Sequence, residues 1–308
     1  MFSLLTLAIT LWFGLVLPVA ASELQEVAPP GAAQQLQLEL GKHHPQLELL
    51  APADGSSLPA GTWTLKLRLN DWPLVQRAEL GPGPHLVIQI DNEAPIRIFE
   101  TPSGATNLAI EMAELSPGSH SITAFAALPW GEAVAERQGR ANFRFYRLAA
   151  NPNGLPAPDS AQLVAVPAPE LTAGAPVPIN WFLLNAPLQN LRPDDAHWRL
   201  QINLDGATGV LQQENSLWLS GLTPGSHPLS FELFDGKGVP LGAPFNSLVR
   251  ELRVSPQGQP SAAMFRSQLT PEELEALVNP SFSAPTIEPE PEPEPVPEAE
   301  VVAIEAES

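Results

Sequence analysis

The sequence predicts an all-β fold class, with two tandem antiparallel β-sandwich domains in a chain of 308 residues. Three observations support this prediction. Apolar and polar residues alternate along short runs, Gly and Pro bound these runs about every ten residues, and the whole series occurs twice. The length agrees, because domains of about 100 to 200 residues give about two domains for this chain.

Residues 1–21 are predicted to be a signal peptide. Met1–Leu17 is almost entirely apolar, and the small residues at 19–21 after Pro18 suit cleavage before Ser22. An uncleaved membrane anchor is the alternative, because the segment has no Lys or Arg and approaches the shortest membrane-spanning length. In both cases we expect the remaining chain to be exported, and to be periplasmic, at the cell surface or secreted. A mature chain that begins at Ser22 would exclude the membrane anchor.

Residues 22–46 are predicted to be a linker. They mix Pro, Gln, Ala and Glu, and their alternation of Leu36, Leu38 and Leu40 is too short to establish a strand.

The first sandwich is predicted over residues 47–148. Trp63, Leu65, Leu67 and Leu69 alternate with polar residues, which is the pattern of a half-buried strand. Similar short alternations follow up to Phe143 and Phe145, which predicts six or seven strands without an intervening amphipathic helix.

The second sandwich is predicted over residues 161–254, as a duplicate of the first. The sequence Leu-Ser-Pro-Gly-Ser-His at 115–120 recurs as Leu-Thr-Pro-Gly-Ser-His at 222–227. Gln89 also matches Gln201. The matched positions keep the same order in both halves of the chain, which favours duplication of one domain. Asp205 and Asp235 each precede Gly and indicate turns at the ends of strands.

The remaining segments are predicted from their composition. Residues 149–160 contain Asn-Pro-Asn-Gly and are predicted to be a linker. Residues 255–282 are predicted to be a second linker with a short helix at 270–278, because Thr270, Pro271 and Glu273 form a helix-start signal. Residues 283–308 are predicted to be a disordered acidic tail, in which Pro and Glu alternate almost strictly between 288 and 297.

Charge and cysteine content exclude several classes of function. The chain carries 34 acidic and 15 basic residues, a net charge of −19, and therefore repels nucleic acid. It has no cysteine, which excludes disulfides, thiolate metal sites and cysteine nucleophiles. No phosphate-binding loop or dinucleotide motif occurs, so we expect no cofactor.

The segment 197–238 resembles immunoglobulin-like and fibronectin-III-like β-sandwich domains of the bacterial envelope. The resemblance lies in a strand, an Asp-Gly turn, a second strand, the Leu-x-Pro-Gly-x-His series and a further strand. It extends over both repeats and implies two tandem Ig-like sandwiches. It implies a fold and no particular ligand.

Candidate catalytic and metal-ligating residues favour structural roles. His120 and His227 occupy equivalent positions after Pro-Gly, where a turn histidine bonded to backbone is expected in place of a metal ligand. Asp91, Asp205 and Asp235 are candidates for a hydrolytic carboxylate pair by position alone. We therefore predict no catalytic, metal-binding or cofactor-binding residue.

Three tryptophans are the candidate ligand-binding residues. Trp63 and Trp198 lie on apolar strand faces and are predicted to be in the core. Trp72 and Trp130 lie beside Pro in loops, and Trp218 points away from its leucine neighbours, so these three could form an exposed aromatic platform.

The sequence therefore predicts an exported, non-catalytic binding or spacer protein of the bacterial cell envelope, and not an enzyme. Its partner would be an unidentified envelope protein or carbohydrate, with no nucleic acid, and it would contact the membrane only through an uncleaved N-terminus. The alternatives are a membrane-anchored structural spacer and a secreted hydrolase with an unrecognised carboxylate pair.

Overall fold

The computed structural model describes residues 24–101, 105–151, 153–168, 171–256 and 262–283. The predicted signal peptide at 1–21, and all of the predicted acidic tail except its first residue, lie outside the described residues. Within the described ranges, no helix is long and apolar enough to span a membrane.

The described residues form mainly β-strands. The strands are β1 (Gln25–Glu26), β2 (Gln46–Ala51), β3 (Ser56–Leu58), β4 (Trp63–Asn70), β5 (Gln76–Arg77), β6 (Gly81–Pro82), β7 (His85–Ile90), β8 (Ile96–Ile98), β9 (Asn107–Met112), β10 (Gly118–Ala127), β11 (Arg140–Arg147), β12 (Gln162–Val164), β13 (Val177–Ile179), β14 (Phe182–Leu184), β15 (Trp198–Leu204), β16 (Ala207–Leu211), β17 (Leu217–Ser220), β18 (Gly225–Asp235) and β19 (Ser247–Val254). The helices are α1 (Gly31–Leu40) and α2 (Pro271–Val278), with 3-10 helices at Arg137–Gly139 and Ala263–Phe265.

Residues 46–147 form sandwich 1. One sheet has the strand order β2-β4-β9 and the other has the order β3-β11-β10-β7-β8. Neighbouring strands in these two sheets are antiparallel, except that β3 pairs with β11 in parallel. The strand β4 alternates as the sequence predicts, because Trp63, Leu65, Leu67 and Leu69 are all buried.

Residues 162–254 form sandwich 2, which repeats the architecture of sandwich 1. Its four-stranded sheet has the order β16-β15-β18-β19, which corresponds to β8-β7-β10-β11. The opposite layer consists of β12-β14 and of β13-β17, with β1 from the N-terminal segment added at the edge of β17. The prediction of two tandem antiparallel β-sandwiches is therefore confirmed.

The duplicated Pro-Gly motif occupies the same place in both sandwiches. Strands β10 and β18 each begin at the glycine of the motif, and these glycines have φ values of 137° and 142°. The strand register also corrects one detail of the repeat. Ile90 lies opposite Ile122 and Leu204 lies opposite Leu229, so the match of Gln89 with Gln201 is wrong by two residues.

The N-terminal segment is not the simple linker that the sequence predicts. Gly31–Leu40 forms helix α1, and its buried residues lie in the hydrophobic core of sandwich 1. Leu36 and Leu40 are buried one helical turn apart, whereas Leu38 is 76% exposed. The alternation of the three leucines is thus part of a helical stripe, because residues four apart share a helix face.

The predicted C-terminal helix is confirmed as α2. The Thr270 side chain accepts a hydrogen bond from the Glu273 amide, and the Glu273 carboxylate accepts one from the Thr270 amide. Arg77 of sandwich 1 donates from Nε to the Ala276 carbonyl at 2.9 Å and from Nη2 to the Asn279 carbonyl at 2.9 Å. These bonds satisfy carbonyl groups at the end of the helix and fix it to sandwich 1.

The two sandwiches pack directly against each other. Val87, Phe125, Ala127 and Ala133 of sandwich 1 form one buried apolar cluster with Val164, Val166 and Phe182 of sandwich 2. The rings of Phe125 and Phe182 are 5.0 Å apart, and the Arg140 guanidinium lies 4.8 Å from the centre of the Phe182 ring. We name this set, including Arg140, the interdomain cluster.

Candidate functional site

A buried histidine connects two strands at the same point of each sandwich. In sandwich 1, His120 Nδ1 lies 2.8 Å from an Asp91 carboxylate oxygen, and its Nε2 lies 2.8 Å from the Ser116 carbonyl oxygen. In sandwich 2, His227 contacts Asp205 and the Thr223 carbonyl in the same way, at 2.5 Å and 2.8 Å. The backbone bond agrees with the predicted turn histidine, whereas the aspartate partner was not predicted.

These contacts also affect the ionisation of His227. Burial lowers the pKa of this imidazole, but the bonds to the Thr223 carbonyl and to the Asp205 carboxylate together raise its pKa above the ordinary value. A raised pKa stabilises the folded chain below the ordinary histidine value, and this contribution is lost as pH rises through the folded-state pKa. The His227 contact is therefore a structural clamp that is strongest in mild acid.

Two of the candidate carboxylates, Asp205 and Asp235, lie too far apart to form a catalytic pair. Asp205 follows the last residue of β15, while Asp235 pairs with the first residue of that seven-residue strand. At about 3.3 Å per residue, the two aspartates are about 20 Å apart, whereas a glycosidase pair is separated by at most about 9.5 Å. Asp91 is bonded to His120 and to the Ser121 amide. Within the described ranges, no group of three or more His, Cys, Asp or Glu residues could hold a metal.

The three candidate tryptophans are buried, which corrects the prediction of an exposed aromatic platform. Trp72, Trp130 and Trp218 have exposed fractions of 8%, 1% and 3%. Trp72 lies in the core of sandwich 1 and donates from Nε1 to the His85 carbonyl at 3.2 Å. Loop position beside proline therefore did not indicate exposure.

Trp130 and Trp218 join the two sandwiches instead. Trp130 follows β10 of sandwich 1, Trp218 lies in β17 of sandwich 2, and their rings are 5.8 Å apart. Phe265 of the C-terminal segment packs edge-on against Trp218, and Asn180 donates to the Trp130 carbonyl at 2.7 Å. Trp130 and Trp218 therefore contribute to domain contact, while Trp218 also lines a cavity of about 560 Å³ and Trp72 lines one of about 470 Å³.

The best candidate site is a cleft between the sandwiches, beside the interdomain cluster. It has a volume of about 500 Å³ and is lined by both sandwiches and by residues 151 and 154–156 of the connecting segment. Gln89, Ser121 and Thr123 line it from sandwich 1, whereas Gln162 and Arg250 line it from sandwich 2. We name it the interdomain cleft. Its volume lies within the range of about 300 to 1,000 Å³ that is typical of ligand pockets.

Two glutamines give the cleft its polar character. Gln162 is 7% exposed, and among the described residues its side chain has no hydrogen-bond partner. Gln89 is 4% exposed and donates from Nε2 to the Glu93 carbonyl at 3.1 Å, which leaves its Oε1 without a partner in the described structure. The unbonded amide atoms line the cleft and are not fully shielded from solvent, so they can bond to water or to a ligand that enters the cleft.

A third buried histidine, His85, has no charged partner among the described residues to support protonation. Its Nδ1 lies 3.0 Å from the Gly83 carbonyl, and Phe99 packs against its ring at 4.6 Å. Its Nε2 has no hydrogen-bond partner in the part of the chain that the structure describes. Burial lowers the pKa of His85 from 6.5 to about 4. His85 is therefore neutral in the folded protein near neutral pH, with Nδ1 donating the hydrogen bond.

We expect His85 to make the protein sensitive to acid. Its folded-state pKa of about 4 is below the unfolded value of 6.5, so the unfolded chain takes up a proton first as pH falls. The free energy of unfolding should decrease by about 1.4 kcal/mol per pH unit between these two values, or about 3 kcal/mol in total. Denaturant titrations of the wild type and His85→Phe across this range measure the difference.

His44 provides the control for this experiment, because its side chain is 75% exposed. His44→Phe should retain the wild-type pH dependence of the free energy of unfolding. His85→Phe should lose the part of that dependence that lies between pH 6.5 and about 4. An identical dependence in the wild type and His85→Phe would contradict the buried, neutral state of His85.

The chain matches solved structures but has no match by sequence among protein families or curated proteins. Fibronectin(III)-like modules of Clostridium thermocellum CbhA match with 11% identity and a TM-score of 0.23, over 69% of this chain and 94% of theirs. The FN1-FN3 domains of chicken CNTN1 match with 12% identity and a TM-score of 0.18, over 66% of this chain and 69% of theirs.

A Bacteroides ovatus mixed-linkage glucan utilization protein, SGBP-B, solved with a heptasaccharide, matches with 15% identity and a TM-score of 0.19. The match covers 68% of this chain and 47% of that one. The fold assignment rests on the strand order of this chain, because matches with such TM-scores indicate nothing about ligand or activity.

Proposed function

We propose that this protein is an exported, non-catalytic binding and spacer protein of the bacterial cell envelope, whose two sandwiches form one rigid body. The observation that carries the proposal is the packing of the interdomain cluster. Seven apolar side chains from the two sandwiches are buried together, and burying a large apolar side chain contributes about 1.5 to 3 kcal/mol. Such a contact holds a fixed angle between domains.

Polar contacts across the same interface support a fixed arrangement. Arg97 donates to the Pro167 carbonyl at 2.6 Å, and Arg250 donates to the Asn92 side chain at 3.0 Å. Arg140 forms an ion pair with Glu214, and the Arg140 side chain is largely buried. Directional bonds at separate points limit rotation of one sandwich on the other.

The terminal segments provide a second connection between the sandwiches. Strand β1 pairs with β17 of sandwich 2, and five residues later helix α1 enters the core of sandwich 1. The C-terminal 3-10 helix contributes Met264 to the core of sandwich 1 and Phe265 to the contact with Trp218. The chain therefore crosses between the sandwiches at both ends as well as at residues 149–160.

A spin-label distance measurement tests the rigid body. The chain has no cysteine, so Glu111→Cys in β9 and Val210→Cys in β16 would carry the only labels. We expect one narrow distance distribution, because the interface fixes both strands. A flexible connection of twelve residues would instead allow end-to-end distances spread around about 20 Å and a correspondingly broad distribution.

The control pair places both labels in sandwich 2, at Val210→Cys and Val239→Cys, which are each 57% exposed in the wild type. The width of its distance distribution reports label motion within one domain. An interdomain distribution as narrow as the control supports the proposal, and one that is several times broader contradicts it.

A further inference from the structure

The interdomain cleft contains free, uncharged hydrogen-bonding groups, namely amides and hydroxyls. Besides the two glutamines, Ser121 Oγ and Thr123 Oγ1 accept hydrogen bonds from Asn142 Nδ2 at 2.7 Å and 2.9 Å. Each hydroxyl therefore retains a proton to donate. Amides and hydroxyls offer both donors and acceptors without charge, and they are contributed by facing walls of the cleft.

The charged groups that line the cleft are already bonded to protein atoms. Asp91 accepts from the Ser121 amide and contacts His120, each at 2.8 Å. Arg250 donates from Nε to the Ala165 carbonyl at 2.9 Å and from Nη2 to Asn92 at 3.0 Å. These bonds, with one from Nη1 to the Val249 carbonyl, use three of the five N–H groups of Arg250. Most of the hydrogen-bonding groups that remain free in the cleft are uncharged amides and hydroxyls, which favours a neutral ligand.

The strand edge beside the cleft is also closed to a peptide. Asn246 is 3% exposed, and its side chain accepts from the Leu163 amide at 2.8 Å and donates to the Ala161 carbonyl at 2.7 Å. Together with the bond from Arg250 to Ala165, these contacts occupy the backbone groups that a peptide strand would need. Side-chain amides and hydroxyls are the groups that remain.

We propose that the interdomain cleft binds a neutral, polyhydroxylated ligand, namely a short oligosaccharide, with Gln162 and Gln89 as its main hydrogen-bonding residues. This inference rests on the proposed function, since the cleft exists only while the sandwiches remain together. Sugar hydroxyls donate and accept, as these side chains do. Phe245 and Leu248, which also line the cleft, provide apolar surface for the C–H face of a sugar ring.

The test is a titration of the full chain with cellotetraose, maltotetraose, xylotetraose and chitotetraose, followed by NMR of the glutamine side-chain amides and by calorimetry. We expect at least one tetrasaccharide to shift the Gln89 and Gln162 amide signals with a Kd below the millimolar range. Gln162→Leu should weaken binding about tenfold or more, because it removes both a donor and an acceptor. Gln89→Leu should have a similar effect.

Gln201→Leu is the matched control, because Gln201 lies in β15 of sandwich 2 and outside the cleft. It should leave the affinity unchanged, and all three variants should retain the wild-type interdomain distance. If none of the four sugars shifts these signals while the interdomain distance distribution stays narrow, the oligosaccharide inference is overturned and the proposed function is not. Binding of a neutral tetrapeptide that depends on Gln162, without sugar binding, would also overturn it. A broad distance would overturn the proposed function as well.

Discussion

Leu36→Ala should lower the free energy of unfolding by about 2 to 5 kcal/mol, the range for a fully buried leucine. Leu36 is 0% exposed and belongs to the core cluster that sandwich 1 shares with helix α1. The substitution leaves a cavity between the helix and the sheets, since the surrounding strands can close it only in part. Guanidinium unfolding with linear extrapolation measures the change.

Leu38→Ala is a control within the same helix, because Leu38 is 76% exposed. Both variants make the same chemical change at helical positions, so helix propensity affects them equally. Leu38→Ala should change stability by no more than about 0.5 kcal/mol. Equal, small effects at the two positions would show that α1 is not part of the core.

Most of the sandwich architecture could be predicted from the sequence because half-buried strands have a period of two. In β4 and β15 the apolar residues face the core of their own sandwich and the polar residues face away. The Pro-Gly motif marked the start of β10 and β18, because its glycine needs a positive φ. The C-terminal helix followed from the capping box at Thr270 and Glu273.

The helix α1 could not be predicted as easily from the same kind of pattern. Leu36, Leu38 and Leu40 alternate like a strand, and only the burial of Ala32, Ala33, Leu36 and Leu40 reveals a helical stripe. Small alanines beside glutamines give a weak periodic signal. A helix without a side-chain cap at its N-terminus also lacks the usual start signal.

The candidate site was missed because it depends on contact between domains. Strand β7 is buried on both faces. Val87 and Gln89 therefore lie under sandwich 2, although the alternation of residues along this strand predicts that their side faces solvent. Phe125, between two inward-facing alanines, was the available sequence signal for a second buried face. The expected exposure of Trp130 and Trp218 was wrong for the same reason, since their rings pack against each other across the domains.

Phe182→Ala should have the second large effect, of about 3 to 5 kcal/mol. Phe182 is 3% exposed and contacts both the Phe125 ring and the Arg140 guanidinium of sandwich 1. Its removal opens a cavity in the interdomain cluster and weakens the coupling between the sandwiches. Differential scanning calorimetry should show a lower Tm and a transition that separates into two.

Val249→Ala is the control for Phe182→Ala, since Val249 lies in β19 of sandwich 2 and is 71% exposed. It should leave both the Tm and the single transition close to those of the wild type. A Phe182→Ala protein with an unchanged calorimetric profile would show that the interdomain cluster contributes nothing to the coupling.

The most direct measurement of the central claim, that both sandwiches and the two terminal segments form one structural unit, is a calorimetric scan of the wild-type protein. We expect one transition, with a van't Hoff enthalpy equal to the calorimetric enthalpy, as for a cooperative unit. Two separate transitions, each with its own enthalpy, would contradict the claim.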